Sequence, residues 1–183
     1  MKVSLKIVPH ICNKLSIDLN KSGIVTMTKG LDPVAAQAQK VLIRSIKQEM
    51  MLDEKVYEIV DDNEEQIDFY LADERQLFFM IKKKLAPEFD VILNYEEHFS
   101  DISHKILDEL YEEDLIHFDV AENRIKNIIY NSITSFIADN NEIDDKVRNK
   151  LSSYKRVLIP GTDDYEIMYE KLFKEELQKR GMA

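Results

Sequence analysis

Three of the four histidines, His98, His104 and His117, crowd into one stretch of the chain. Asp101, His104 and Asp108 stand at i, i+3 and i+7, which places all three on one face of a helix. Carboxylate and imidazole ligands together can hold a divalent transition metal. A di-iron carboxylate bundle, however, needs a Glu-x-x-His pair on each of two helices with further glutamates opposite. Here only a loosely similar Asp-x-x-His occurs, and His10 and Asn13 stand at the matching positions of the first half. A cluster of surface charge accounts for the three residues better than a metal centre, so Asp101, His104 and Asp108 stand as metal candidates only.

The other chemically able residues point no more firmly to a reaction. Cys12 is the single cysteine and sits beside Ile11 and Leu15, the setting of a small buried hydrophobe. A nucleophile needs a base at hand, and His10, two residues away on a helix, faces elsewhere. Lys82, Lys83 and Lys84 are the densest basic run. At about 100° per residue they spread over about 200° of a helix, a solvated rim more than a nucleic-acid stripe. Lys155 and Arg156 add a second basic spot. Pro160-Gly161-Thr162-Asp163 offers backbone N–H groups at a helix start, but Asp163, Asp164 and Glu166 already fill that end with negative charge. No phosphate-binding glycine loop, dinucleotide fingerprint, nucleophile elbow or zinc spacing occurs, and no cofactor is implied. Phe69 and Tyr70, with Met50 and Met51, flank the acidic stretch 61–65. Their helical spacing points to core packing; exposed, they would offer an adaptable apolar surface to a partner helix.

The elements that carry these residues are helices. Ile11, Leu15 and Leu19 recur at helical spacing, and Gly23 ends that run. Asp32 and Pro33 read as N-cap and first residue of a long helix through Leu42 and Ile46 to Val60, with a break expected near Leu52 and Asp53. Asp73 and Gln76 have capping-box spacing ahead of Leu77, Phe78, Ile81 and Leu85, and Pro87 stops that helix. Asn94 with Glu97, Asp119 with Glu122 and Asp163 with Glu166 open three more. Asn140 and Asn141 are expected to interrupt the second of these, and Gly181 to close the last. The short pieces at Ile24 and Leu115 leave room for a small β contact.

The pattern also recurs. A shift of 91 positions brings Ile11 onto Ile102, Leu19 onto Leu110, Ile46 onto Ile137 and Asp53 onto Asp144. The predicted architecture is therefore all-α: two tandem helical repeats, 1–91 and 92–183, packed as a bundle with at most very short strands. The bridge Val91–Leu93 lacks Gly, Pro and Ser, so the halves should pack together.

Composition bounds the partners. The formal charge is −10, with 13 basic and 15 acidic residues in 1–91 and 12 basic and 20 acidic in 92–183. Such a surface repels nucleic-acid backbones and anionic lipid. One cysteine builds neither a disulfide nor a thiolate zinc site within the chain. No apolar run approaches the ~18 residues of a membrane span, and no leader pattern opens the chain, so a cytoplasmic protein is expected.

The segment Met80-Ile81-Lys82-Lys83-Lys84-Leu85-Ala86 resembles a motif of a bacterial family catalogued as domain of unknown function 507. The second half is similar to it through Ile102-Ser103-His104-Lys105-Ile106, Ile143-Asp144-Asp145-Lys146-Val147 and the tail from Ile159 to Tyr169. The resemblance spans nearly the whole chain and implies a small, helical, soluble bacterial protein. It supplies no activity, cofactor or catalytic residue. Three functions follow as expectations, the first preferred: a non-enzymatic adaptor or assembly protein that binds another protein or itself, a ligand- or metal-binding protein or enzyme with a His/carboxylate site in the second half, and weak nucleic-acid association through Lys82–Lys84.

Overall fold

A computed structural model describes residues 3–63, 73–154 and 159–180. A 3-10 turn at Leu5–Ile7 leads into α1 (Val8–Lys21), then β1 (Thr26–Met27) and α2 (Leu31–Asp61). Next come α3 (Glu74–Leu85), a 3-10 turn at Ala86–Phe89, and α4 (Tyr95–Glu112). The chain continues with β2 (Ile116–His117), α5 (Glu122–Ser152) and α6 (Asp163–Lys179). The architecture is the expected all-α bundle.

Four helices form its centre, because each presents one apolar stripe. Val8, Ile11, Leu15 and Leu19 recur every three or four residues along α1, and all four are fully buried. Ile102, Ile106 and Leu110 do the same on α4, and Ile125, Ile129, Ile133 and Phe136 on α5. Each such side chain contributes about 1.5–3 kcal/mol on leaving water. α1 lies against α2 and α5, while α4 lies against α5 and α2, closing a ring of four. One core thus draws on residues from both sides of the Val91–Leu93 bridge.

The loops after α1 and α4 meet as a two-stranded antiparallel ladder that pairs Thr26 with His117 and Met27 with Ile116. Gly23 and Asp114 turn the chain out of the two preceding helices with φ of 68° and 53°. The Asp114 carbonyl then accepts from the Thr28 hydroxyl, tying the two loops together.

α2 and α5 contain 31 residues each. At 1.5 Å per residue that is about 46 Å, longer than the four-helix centre requires. Each overhang carries one further helix. Leu52, Val56 and Val60 of α2 form a separate small core with Ala86 and Val91, against which Phe78, Ile81 and Leu85 of α3 pack. α6 lies along α5.

Several local expectations are corrected. Neither long helix breaks. Asp53 is buried within α2, and Asn140 sits inside α5 between the buried Ile137 and Ile143. The helix-propensity cost of such residues, under about 1 kcal/mol, yields to the packing on either side. The N-caps also shift. Gly30, Ala121 and Thr162 occupy the positions read as Asp32, Asp119 and Asp163, and Thr162 Oγ1 accepts from Tyr165 N at 3.4 Å. Met50 and Met51, expected in the core, are 45% and 57% exposed. The buried stripe there runs through Leu52, Val56 and Val60, which turns the two preceding residues off the packed face.

Candidate functional site

α3 creates the site by how it docks. Asp73 caps it, its carboxylate accepting from the backbone N–H groups of Arg75 at 2.9 Å and Gln76 at 3.3 Å. Phe78, Ile81 and Leu85 then turn toward α2. Lys82, four residues after Phe78, shares this inward side. Its ammonium pairs with Asp53 at 2.7 Å and Glu49 at 3.4 Å, two carboxylates one turn apart on α2. The Lys82 and Asp53 side chains are only 12% and 7% exposed, and Glu49 is 30% exposed. A pair this buried is weak as a source of stability, because desolvation consumes most of its attraction; it does fix how α3 sits on α2.

The opposite wall comes from α4. Asn94 caps that helix by accepting from Glu96 N and Glu97 N at 3.0 and 3.1 Å. Tyr95, His98, Phe99 and Ile102 follow at i, i+3, i+4 and i+7, one face turned toward α2. Between the walls lies a cleft of about 340 Å³. Leu42, Ile46, Phe99 and Ile102 make its apolar sides, while Glu49, Lys82 and His98 supply its polar groups. Phe79, Leu93 and Tyr95 stand at its mouth, 67%, 46% and 38% exposed. Tyr95 packs edge-on against Phe99 with ring centres 4.8 Å apart. Burial pushes the His98 imidazole below its ordinary pKa, and the nearby charges of Glu49 and Asp101 only partly oppose this. Burial thus favours the uncharged ring, and the Lys82 ammonium stands between two carboxylates, Glu49 and Asp53.

The far end of the molecule is latched differently. Tyr169 on α6 donates to Asp144 on α5, which also accepts from Arg148 at 2.8 Å. Burial pushes the Asp144 carboxyl up, but those two hydrogen bonds outweigh it and hold the group below its usual range. Glu176 accepts from Lys150 at 2.6 Å and Lys179 at 2.8 Å, which hold its carboxyl down at about 2. A second groove contains Lys14, Asp18, Asp139 and Arg180. These four charges are paired: Lys14 with Asp18, and Arg180 with Asp139 at 3.4 Å.

The residues singled out from sequence are dispersed. Asp101 pairs with Lys105 at 3.0 Å, and Lys105 also reaches Asp90 at 2.8 Å. His104 and Asp108 lie exposed on the outer side of α4. Among the described residues, no three His, Cys, Asp or Glu side chains come together to hold a metal ion. The lysine run is divided: Lys82 turns into the cleft, while Lys83 and Lys84 face solvent. Phe69 and Tyr70 lie outside the described residues, as do Lys155 and Arg156. Cys12 is buried, and burial pushes its thiol up to about 12. The sequence pattern does not mark Glu49, Asp53 or the mouth residues Phe79, Leu93 and Tyr95 as a site. Their one signal was a pair of carboxylates at i and i+4, Glu49 and Asp53, set among the apolar residues of α2.

Among the described residues no helix is long and apolar enough to cross a membrane. The class of molecule is thus an all-α bundle with a charged cleft between three helices. The chain belongs to the family described as protein of unknown function DUF507, whose model matches residues 1–182. No curated protein matches the sequence.

Proposed function

We propose that this protein is a non-enzymatic helical interaction protein and that the cleft between α2, α3 and α4 is where its partner docks. One observation carries this reading: three large apolar side chains, Phe79, Leu93 and Tyr95, stand exposed around one concave site. Exposed apolar side chains gathered at one cleft mark contact surfaces, whereas single ones scattered over a surface do not. Aromatic residues at the centre of an interface also carry much of its binding energy. In this reading the setting is a bacterial cytoplasm, and the partner is another protein or a second copy of this chain.

The test is quantitative co-purification from the source cell with three tagged chains. These are the unaltered protein, Phe79→Arg at the mouth, and Ile167→Arg at an exposed position on α6. The expected result is one near-stoichiometric partner, retained by the unaltered chain and Ile167→Arg and lost from Phe79→Arg. The same proteins from all three baits, or none from the unaltered chain, would overturn the reading.

The scaffold behind the cleft is, in the same proposal, an internal duplication. Its support is numerical. α2 and α5 start at 31 and 122 and end at 61 and 152, a constant separation of 91. The left-handed residues Gly23 and Asp114 have that separation, and so do the paired strand residues Thr26 and His117. Pairing of a residue with its own counterpart is what an approximate two-fold axis through the ladder requires. A circular permutant with residues 92–183 ahead of 1–91 should then fold cooperatively with unchanged helix content. A permutant that stays unfolded would count against the duplication.

A further inference from the structure

We infer that the cleft receives a basic side chain of the partner, a lysine or arginine borne among apolar residues, with its cation on Glu49. This occupant presupposes that the cleft is a docking site, as proposed above.

The charges select it. Asp53 and Lys82 sit 2.7 Å apart and neutralise each other at the floor. Glu49 reaches the same ammonium only at 3.4 Å and is the more exposed carboxylate, so it carries the surplus negative charge toward the opening. An incoming anion would meet two carboxylates and an ammonium already engaged by both. An incoming cation meets a carboxylate with acceptor capacity to spare, since each carboxylate offers about four lone-pair sites. Lys83 and Lys84 do not weaken this preference at the floor, because neither lines the cleft.

The walls select the stem. Leu42, Ile46, Phe99 and Ile102 flank the approach to Glu49, and they match the methylene chain that lysine and arginine bury while keeping the head polar. Tyr95 and Phe79 at the mouth add aromatic rings, and a ring attracts a cation to its face. A volume of about 340 Å³ takes one long side chain together with an apolar neighbour. On the larger scale, a chain of net charge −10 draws a basic partner toward it before contact.

The test uses the full-length protein and three probes that share one hexyl tail: hexylammonium, hexanol and heptanoate. Each is titrated while amide and methyl NMR signals are followed. Hexylammonium should shift signals of α2 and α4 around the cleft and bind at least fivefold more tightly than the other two. Glu49→Gln should bring hexylammonium down to the level of hexanol. Equal or tighter binding of heptanoate or hexanol would overturn the inference. So would hexylammonium shifts scattered over the acidic surface, or an affinity unchanged in Glu49→Gln. The head-group comparison needs no variant, so it stands even if Glu49→Gln folds poorly. Loss of the partner from Phe79→Arg with no ammonium preference would sink this occupant and leave the docking site standing. Ammonium binding with no partner captured would show a cation preference of the cleft but sink the docking site, and the partner's side chain as its occupant with it.

Discussion

Removing the Lys82 cation while keeping its length is the most informative perturbation of the scaffold. Lys82→Met leaves the Asp53 carboxylate, 7% exposed, without the ammonium 2.7 Å away. Breaking a buried pair from one side costs about 3–5 kcal/mol. Proton uptake limits the cost, because Asp53 can neutralise itself. From an ordinary carboxyl value of about 3.9, that costs about 1.4 kcal/mol per pH unit, or about 4 kcal/mol at pH 7 and under about 1 kcal/mol at pH 4.5. The expected loss is therefore about 3 kcal/mol at neutral pH and falls steeply toward pH 4.5. α3 packs on α2 and the turn that follows it, so the loss should appear first as local opening of α3. Native-state hydrogen exchange of the α3 amides is the assay. About a hundredfold faster exchange than the unaltered protein is expected at pH 7, with the ratio shrinking to a few-fold at pH 4.5. Asp53→Leu combined with Lys82→Met should restore protection to within about 1 kcal/mol, since an apolar pair replaces an ionic one at little cost. A single variant with less than threefold faster exchange at pH 7, or with the same ratio at both pH values, would refute the reasoning.

Three further outcomes are expected. The Glu176 carboxyl is held at about 2, below an unfolded value of about 4.3, so it contributes stability above pH ~4.3 that is lost as pH falls through about 2. Glu176→Gln should flatten the acid limb of a stability-against-pH curve, and an unchanged limb would contradict the two-lysine contact. Cys12, 1% exposed with its thiol raised to about 12, should resist alkylation in the folded protein and react only as the chain unfolds in urea; rapid native labelling would argue that α1 is misplaced. An added Cβ at Gly23 meets nothing within 4 Å, so Gly23→Ala should cost only the left-handed backbone penalty of about 1–2 kcal/mol, and Gly23→Asn less, by urea denaturation.

Periodicity made the helices legible, because apolar residues at three- and four-residue spacing have one physical reading. Asp73 and Asn94 were equally readable as caps, since each carries a side-chain acceptor ahead of an apolar run. Of the three shifted N-caps, Gly30 and Ala121 have no such acceptor and leave no local mark, whereas Thr162 has one and is masked by the acidic run that follows it. Asp53 reads as a helix break for a related reason. A carboxylate on an apolar stripe looks like an interruption until its partner is known, and Lys82 lies 29 positions further along the chain. The cleft itself was hidden because its walls come from three helices, and only the docking of α3 on α2 joins them. Histidine crowding points to His104, yet α4 buries the Ile102 and Ile106 face and leaves His104 outside.

Docking at the cleft is tested most directly by a photo-crosslinking phenylalanine analogue placed at position 79, with the same analogue at position 104 as control, in the native cell. The account predicts one protein adduct from position 79, none of that protein from position 104, and loss of the adduct when Glu49→Lys is added. Matching adducts from both positions, or none from a folded chain at position 79, would contradict it.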